Sequence, residues 1–229
     1  MSLLDVGAGP GSITVDLAER VAPGAVTATE QTPRAMDLTR AEAVRCGIAL
    51  SYAIEDVHAL SFEADSFDVV HAHQVLQHVA DPVQALRELA RVCRPGGLVA
   101  VRDSDYGAFT WFPEPPELSE WMRLYLTAAR ANGGEPFAGR QLLSWARRAG
   151  LSDVVATAST WCYADDAGRE FWGGMWADRI LQSAMAEQLV RDGHATRSDL
   201  ERISSGWRQW SAAEDGWFLV PHGEILVRV

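Results

Sequence analysis

The chain has 229 residues, with 20 Lys+Arg against 31 Asp+Glu and a formal net charge of −11. At 48% hydrophobic and 22% charged residues, it has the composition of a globular domain, not of a disordered tail. Its acidity argues against nucleic-acid binding, and no apolar run approaches the roughly 18 residues of a membrane span.

The first residues lack a basic leader region, and Asp5 follows almost at once, so a cytoplasmic location is expected. All 20 cationic side chains are Arg. Without Lys, a pyridoxal Schiff base, a lysine general base and a P-loop are impossible. Cys46, Cys93 and Cys162 are too far apart for a zinc-type spacing and read as reduced thiols.

In chain order, Leu3–Val6 predicts a short strand running into Gly7-Ala8-Gly9-Pro10-Gly11. Ser12 can cap a helix that carries Ile13, Leu17 and Val21 on one face. Ala25–Thr29 predicts a second strand ended by Glu30, and Pro33 opens a helix that Gly47 stops. Ala49–Ile54 and Phe67–Ala72 follow as strands. Asp81-Pro82 starts a helix, Arg94-Pro95-Gly96-Gly97 reads as the turn out of it, and Leu98–Val101 as a fifth strand. This β-α alternation implies a parallel sheet with ligands at the carboxyl ends of its strands. Further on, helices are predicted at 117–132, 139–149, 167–191 and 198–213, with a long strand at Asp153–Tyr163. Trp217–Val220 and Glu224–Val229 predict a terminal hairpin with Pro221-His222-Gly223 as its turn. Aromatic residues are skewed: all nine Trp lie after residue 110.

The most informative stretch is Leu3-Leu4-Asp5-Val6-Gly7-Ala8-Gly9-Pro10-Gly11-Ser12. Its glycines allow a tight turn and let backbone N–H groups approach a ligand. A carboxylate at Asp5 suits a ligand with an ammonium group and disfavours a pyrophosphate. This stretch resembles the first motif of class I S-adenosylmethionine (SAM)-dependent methyltransferases. The run Phe67–Val79 with Asp81-Pro82 and Arg94-Pro95-Gly96-Gly97 resembles the fourth-strand motifs of the ubiquinone/menaquinone biosynthesis-type subgroup. The resemblance covers residues 3–103 closely.

The resemblance implies an α/β fold: a Rossmann-like, seven-stranded, mostly parallel sheet with helices on both faces, an antiparallel last strand and a helical insertion between the last strands. It implies one domain over 1–229, with a cofactor half at 1–103 and an acceptor half at 104–229 capped by helices at about 164–216. SAM is the implied cofactor, held by Asp5, Gly7, Ala8, Gly9 and Ser12. Glu30, with Gln31 beside it, is placed on the ribose hydroxyls, and Asp56 and Val57 on the adenine, with Glu55 able to substitute for Asp56. His73 is placed at the cleft lining. His71, His73 and His78 form a small cluster, but no metal is expected there because His78 lies beyond the strand. Should the acceptor need to lose a proton, His73, Asp103 and Tyr106 are the candidate bases, together with Asp105. Tyr106, Trp111, Trp121 and Tyr125 follow the fifth strand, where the family builds its acceptor site. Trp172, Trp176, Trp207 and Trp210 either cap the cleft or pack helices, and Trp145, Trp161 and Trp217 read as core.

The expected activity is methyl transfer to an apolar or aromatic small molecule, with no nucleic-acid or membrane partner and with a homodimer left open. The alternatives are a nicotinamide- or flavin-dependent oxidoreductase and a SAM-binding protein without catalysis. The glycine spacing speaks against the oxidoreductase, because Ser12 stands where the third glycine of the dinucleotide fingerprint falls. The first strand begins at Leu3, so no helix is expected before it to close over a cofactor. The expectation drawn from this is a chain shortened relative to its fully active form. The alternative is a lid from residues 164–216 or from a second subunit.

Overall fold

A computed structural model describes residues 1–229. Its elements in chain order are β1 (Ser2–Val6), α1 (Ser12–Val21), β2 (Ala25–Glu30), α2 (Pro33–Cys46), β3 (Ser51–Ile54), β4 (Phe67–His73), α3 (Pro82–Val92) and β5 (Cys93–Ser104). They continue with β6 (Thr110–Phe112), α4 (Pro116–Ala131), α5 (Ala138–Arg148), β7 (Val154–Tyr163), α6 (Asp166–Gln182), α7 (Ala184–Arg191), α8 (Arg197–Ser211) and β8 (Trp217–Arg228). The chain forms two compact units: Met1–Ser104 with Ala138–Ala158 and His222–Val229, and Asp105–Phe137 with Ser159–Pro221.

In the first unit, β3, β2, β1, β4 and β5 lie side by side in that order, all parallel. β8 pairs antiparallel with β5, from Leu98 opposite Arg228 to Ser104 opposite His222. β7 flanks β8. It too runs antiparallel to β8, since Arg228 N–H donates to the Asp153 carbonyl and Thr157 Oγ1 donates to Glu224. The expected mostly parallel sheet with its antiparallel last strand is thus present, with β6 joined through β8 as an eighth strand. Strand order reverses direction at β1 and β4, so right-handed crossovers put α1 and α2 on one face and α3 on the other. Leu4, Val6, Val70, Ala72, Val99 and Val101 pack in one core with α3 and α5.

Local chemistry sets the helix ends. Thr32 caps α2 by accepting the Ala35 N–H, Pro33 holds its first turn, and Gly47 ends it in the left-handed region. The start of α1 differs from expectation. Gly11, at φ 86°, is the cap residue, Ser12 is already helical, and no side chain caps the helix. Its first amides face the glycine turn. A side chain at Gly11 would stand 2.9 Å from the Thr39 Cα of α2, so this position needs glycine for contact as well as conformation.

Two expectations about β-structure are corrected. Arg94–Gly97 is no free turn but an irregularity inside β5: Cys93 pairs with Phe67, and pairing resumes at Leu98 opposite Val69. Pro221-His222-Gly223 is no hairpin turn but the middle of the continuous strand β8. Gly223 is small because a side chain there would collide with the Gly139 backbone at the start of α5.

The second unit contains α4, α6, α7 and α8, with β6 paired antiparallel to the first residues of β8. The helical stretch expected at 167–191 is two helices, broken at Ser183, which caps α7 by accepting the Ala186 N–H. Trp172, Trp176, Trp207 and Trp210 are buried with Trp121 and Phe218 in one aromatic core. α6 and α8 approach closely at Gly173, where a side chain would stand 2.8 Å from the Ser211 Cβ. Trp145 is core in the first unit, whereas Trp161 and Trp217 are partly exposed, each at 36%.

Candidate active site

A cavity of about 320 Å³ opens at the carboxyl ends of β1, β2, β3 and β4. This is the switch point of the sheet, where open α/β folds bind ligands. Val6, Gly7 and Gly9 form one wall; Thr29, Glu30 and Gln31 come from the end of β2 and Glu55, Asp56 and Val57 from the loop after β3; Gln74, Val75, His78 and Val79 follow β4.

The glycine turn is folded back by Gly7 and Ala8 N–H groups donating to the Thr29 carbonyl, each at 3.0 Å. Gly7 and Gly9 adopt φ of 70° and 57°, which glycine reaches without steric cost. A side chain at Gly7 would meet Val75 at 2.6 Å, while one at Gly9 would meet nothing within 4 Å. The space above Gly9 is therefore open to a ligand. Glu30 reaches across to this turn, and its Oε1 accepts the Gly9 N–H.

Of the sequence-derived cofactor residues, the fold brings Gly7, Gly9, Glu30, Gln31, Asp56 and Val57 to the cavity wall. Asp5, Ala8, Ser12 and His73 are not on it. Asp5 is buried, and its two oxygens face Thr14 Oγ1 and His71 Nδ1, the latter at 2.7 Å. Asp56 accepts the His58 N–H at 2.9 Å and lies 2.7 Å from its Nδ1. These bonds to His58 hold its carboxyl below the usual range. Glu55 is taken up locally by Ser61.

The residues after β4 were not assigned to the site from sequence. Gln74 has φ 55°, a left-handed conformation unusual outside glycine, and its N–H donates to the Arg102 carbonyl at 2.7 Å. Beyond it, Asp103 accepts the N–H groups of Leu76 and Gln77 at 3.3 and 3.0 Å. Asp103 is fully buried, and burial pushes its carboxyl up to about 7 against those two bonds. His73 is lowered to about 4, first by burial and then by the Arg102 charge, so it stays neutral at physiological pH.

The aromatic residues expected to meet an acceptor lie in the second unit. Tyr106 stacks on Tyr125 at 4.0 Å and on Phe109 at 4.3 Å. Burial raises the Tyr106 phenol well above its ordinary value. Trp121 is fully buried, edge-on to Trp176 at 4.6 Å and Trp207 at 4.9 Å. Trp111 is half-buried and stacks on Phe218 at 5.4 Å.

A family model described as a methyltransferase domain matches residues 4–101. Over 99% of its length the chain is 34% identical to an uncharacterized methyltransferase of Schizosaccharomyces pombe, of which it covers 84%. It is 35% identical over 99 residues to the ubiquinone/menaquinone biosynthesis C-methyltransferase of Bdellovibrio bacteriovorus, which is 43% of this chain and 42% of that protein. Among solved structures, the YcgJ protein of Bacillus subtilis superposes with a TM-score of 0.61 at 17% identity, over 99% of this chain and 90% of that one. At that identity the likeness shows the fold.

The chain belongs to the class I SAM-dependent methyltransferases, and over its cofactor half it is similar to the ubiquinone/menaquinone biosynthesis type. It is a SAM-dependent enzyme, and the cavity suits that cofactor: its volume is in the range of small-ligand sites, its glycine turn leaves open space, and carboxylates line it.

Proposed function

We propose that this methyltransferase acts on an apolar or aromatic small molecule, and that SAM occupies the cavity at the ends of β1 to β4. The observation that carries the reading is the convergence of the Gly7–Gly9 turn, Glu30 and Asp56-Val57 on one cavity. Gly7 and Gly9 give the ligand backbone access, with Ala8 and Ser12 completing the turn. Glu30 and Gln31 hold the ribose hydroxyls, and Asp56 and Val57 hold the adenine. Asp5 acts from behind the turn through Thr14 and His71.

SAM supplies an activated methyl group on a sulfonium. The chain has to align a nucleophile with it and exclude water. An acceptor that must lose a proton has His73, Asp103 and Tyr106 as its candidate bases. His73 stays neutral, but its lowered value makes it a weak proton acceptor; Asp103 is bonded to two amides, and Tyr106 is held protonated by burial.

The acceptor is proposed to bind at Trp111, the partly exposed member of the aromatic set, with Tyr106, Trp121 and Tyr125 behind it. Relatives named for ubiquinone and menaquinone methylation support a flat, greasy ring. No helix is long and apolar enough to cross a membrane. The reading includes neither a nucleic-acid nor a membrane partner, places the enzyme in the cytoplasm and leaves a homodimer open. The test is a metabolite screen for SAM-dependent gain of one methyl mass. Apolar or aromatic hits whose turnover falls in Trp111→Ala, with SAM binding intact, support the acceptor class. Turnover of a nucleic acid or a highly anionic substrate contradicts it.

A further inference from the structure

We propose that His222, in the middle of β8, is a positioning residue that acts through Gln74 on the sulfonium end of the cofactor cavity; this rests on the SAM reading above. The cavity has a direction set by strand order. Glu30 ends β2 and Asp56 follows β3, whereas Gln74 follows β4, with β1 between. A nucleoside with its ribose at Glu30 and its base at Asp56 and Val57 directs its remaining end toward β4. Gln74 is the first cavity residue met there.

Gln74 is held in an unusual state. Its backbone is left-handed at φ 55°, one of only two non-glycine residues with positive φ. Its side-chain Nε2 lies 3.1 Å from Nε2 of His222. With the amide nitrogen of Gln74 facing the imidazole, Gln74 donates and His222 accepts. That contact requires the Nδ1–H tautomer of His222. It also leaves the amide oxygen of Gln74, a cavity-wall residue, free of the imidazole, so that its dipole is available to a ligand. A carbonyl dipole favours a positively charged sulfonium over a neutral thioether.

His222 is fixed for this task. It is 1% exposed and sits opposite Ser104 in the β5–β8 ladder. Its ring stacks on His73 at 6.1 Å, and His73 stacks on His71 at 6.4 Å. His71 in turn lies against Asp5. The imidazole therefore cannot swing without disturbing a row of packed rings.

The experiment is calorimetric binding of SAM and of S-adenosylhomocysteine to the full chain, for wild type, His222→Phe, His222→Gln and Gln74→Met. The preference for SAM over the thioether should fall about tenfold in His222→Phe and Gln74→Met, with thioether affinity kept within about twofold. His222→Gln, which retains an acceptor, should restore most of it. Gln74→Met changes a residue at the cavity wall, so it serves if His222→Phe fails to fold. An unchanged preference in Gln74→Met, or equal weakening of both ligands, overturns the proposal. Nitrogen NMR of the unliganded protein gives a separate reading: the Nδ1–H tautomer of His222 supports it, and the Nε2–H tautomer overturns it while leaving the SAM reading intact. Failure of wild type to bind either ligand overturns the SAM reading and this proposal together.

Discussion

The Asp103 carboxylate accepts the backbone N–H of Gln77 at 3.0 Å, and this bond joins the end of β5 to the segment that follows β4. That segment supplies Gln74, Val75, His78 and Val79 to the cavity wall. A buried acid in this position anchors the wall. Replacing it with Leu strands two amides, each costing about 1–3 kcal/mol. Asp103→Leu should therefore lose about 2–6 kcal/mol in urea unfolding. Asp103→Asn keeps one acceptor oxygen and should lose less than half as much. Equal stability of wild type and the Leu variant would show that the anchor is idle.

The pH dependence of stability carries a second expectation. Asp103 is raised from 3.8 to about 7, so its contribution is present below 3.8 and is lost as pH rises through 7. His73 is lowered from 6.5 to about 4, so its contribution is present above 6.5 and is lost as pH falls toward 4. Between pH 4 and 6.5 the two slopes oppose each other, each at most about 1.4 kcal/mol per pH unit. Asp103→Asn removes one of them. Its stability should rise with pH across that window more steeply than that of wild type. Parallel profiles for the two proteins would refute the buried-acid assignment.

Gly9→Val should abolish SAM binding in a folded protein. A Cβ there meets no protein atom within 4 Å, so the fold has room for it, apart from a backbone cost of about 1–2 kcal/mol at φ 57°. The added methyls would stand in the ligand's space. Circular dichroism with calorimetry checks both halves, and unchanged SAM affinity in the folded variant removes the turn from the site.

In the second unit, Trp121 and Trp111 should part company. Trp121 is fully buried among Trp176, Trp207 and Tyr125, so Trp121→Ala should cost about 3–5 kcal/mol of stability. Trp111 is only half-buried, and its loss should lower turnover more than stability once an acceptor is known. Equal loss of stability in both variants would make Trp111 another core residue.

The cofactor half was readable because its signals are local. Leu3–Val6 runs straight into glycines, Pro33 and Gly47 bracket α2, and Glu30 stands at a strand end. What escaped depends on distant partners. Gln74 and His222 are 148 residues apart, and neither carries a local signal of their contact. Pro221-His222-Gly223 has turn chemistry, yet Gly223 is there to let Gly139 approach. Asp5 reads as a ligand carboxylate from its motif, but Thr14 and His71 surround it in the fold. The Trp skew marked a distinct region without telling buried Trp121 from partly exposed Trp161 and Trp217.

The central claim is that SAM occupies the cavity with its ribose on Glu30. Equilibrium binding of SAM to wild type and Glu30→Ala, with a cofactor analogue lacking the ribose hydroxyls measured alongside, tests it most directly. Wild type should bind SAM and not NAD(H), and Glu30→Ala should weaken SAM by about 1.5–3 kcal/mol while barely affecting the analogue. Binding of NAD(H) without SAM, or the same loss for SAM and for the analogue, would contradict it.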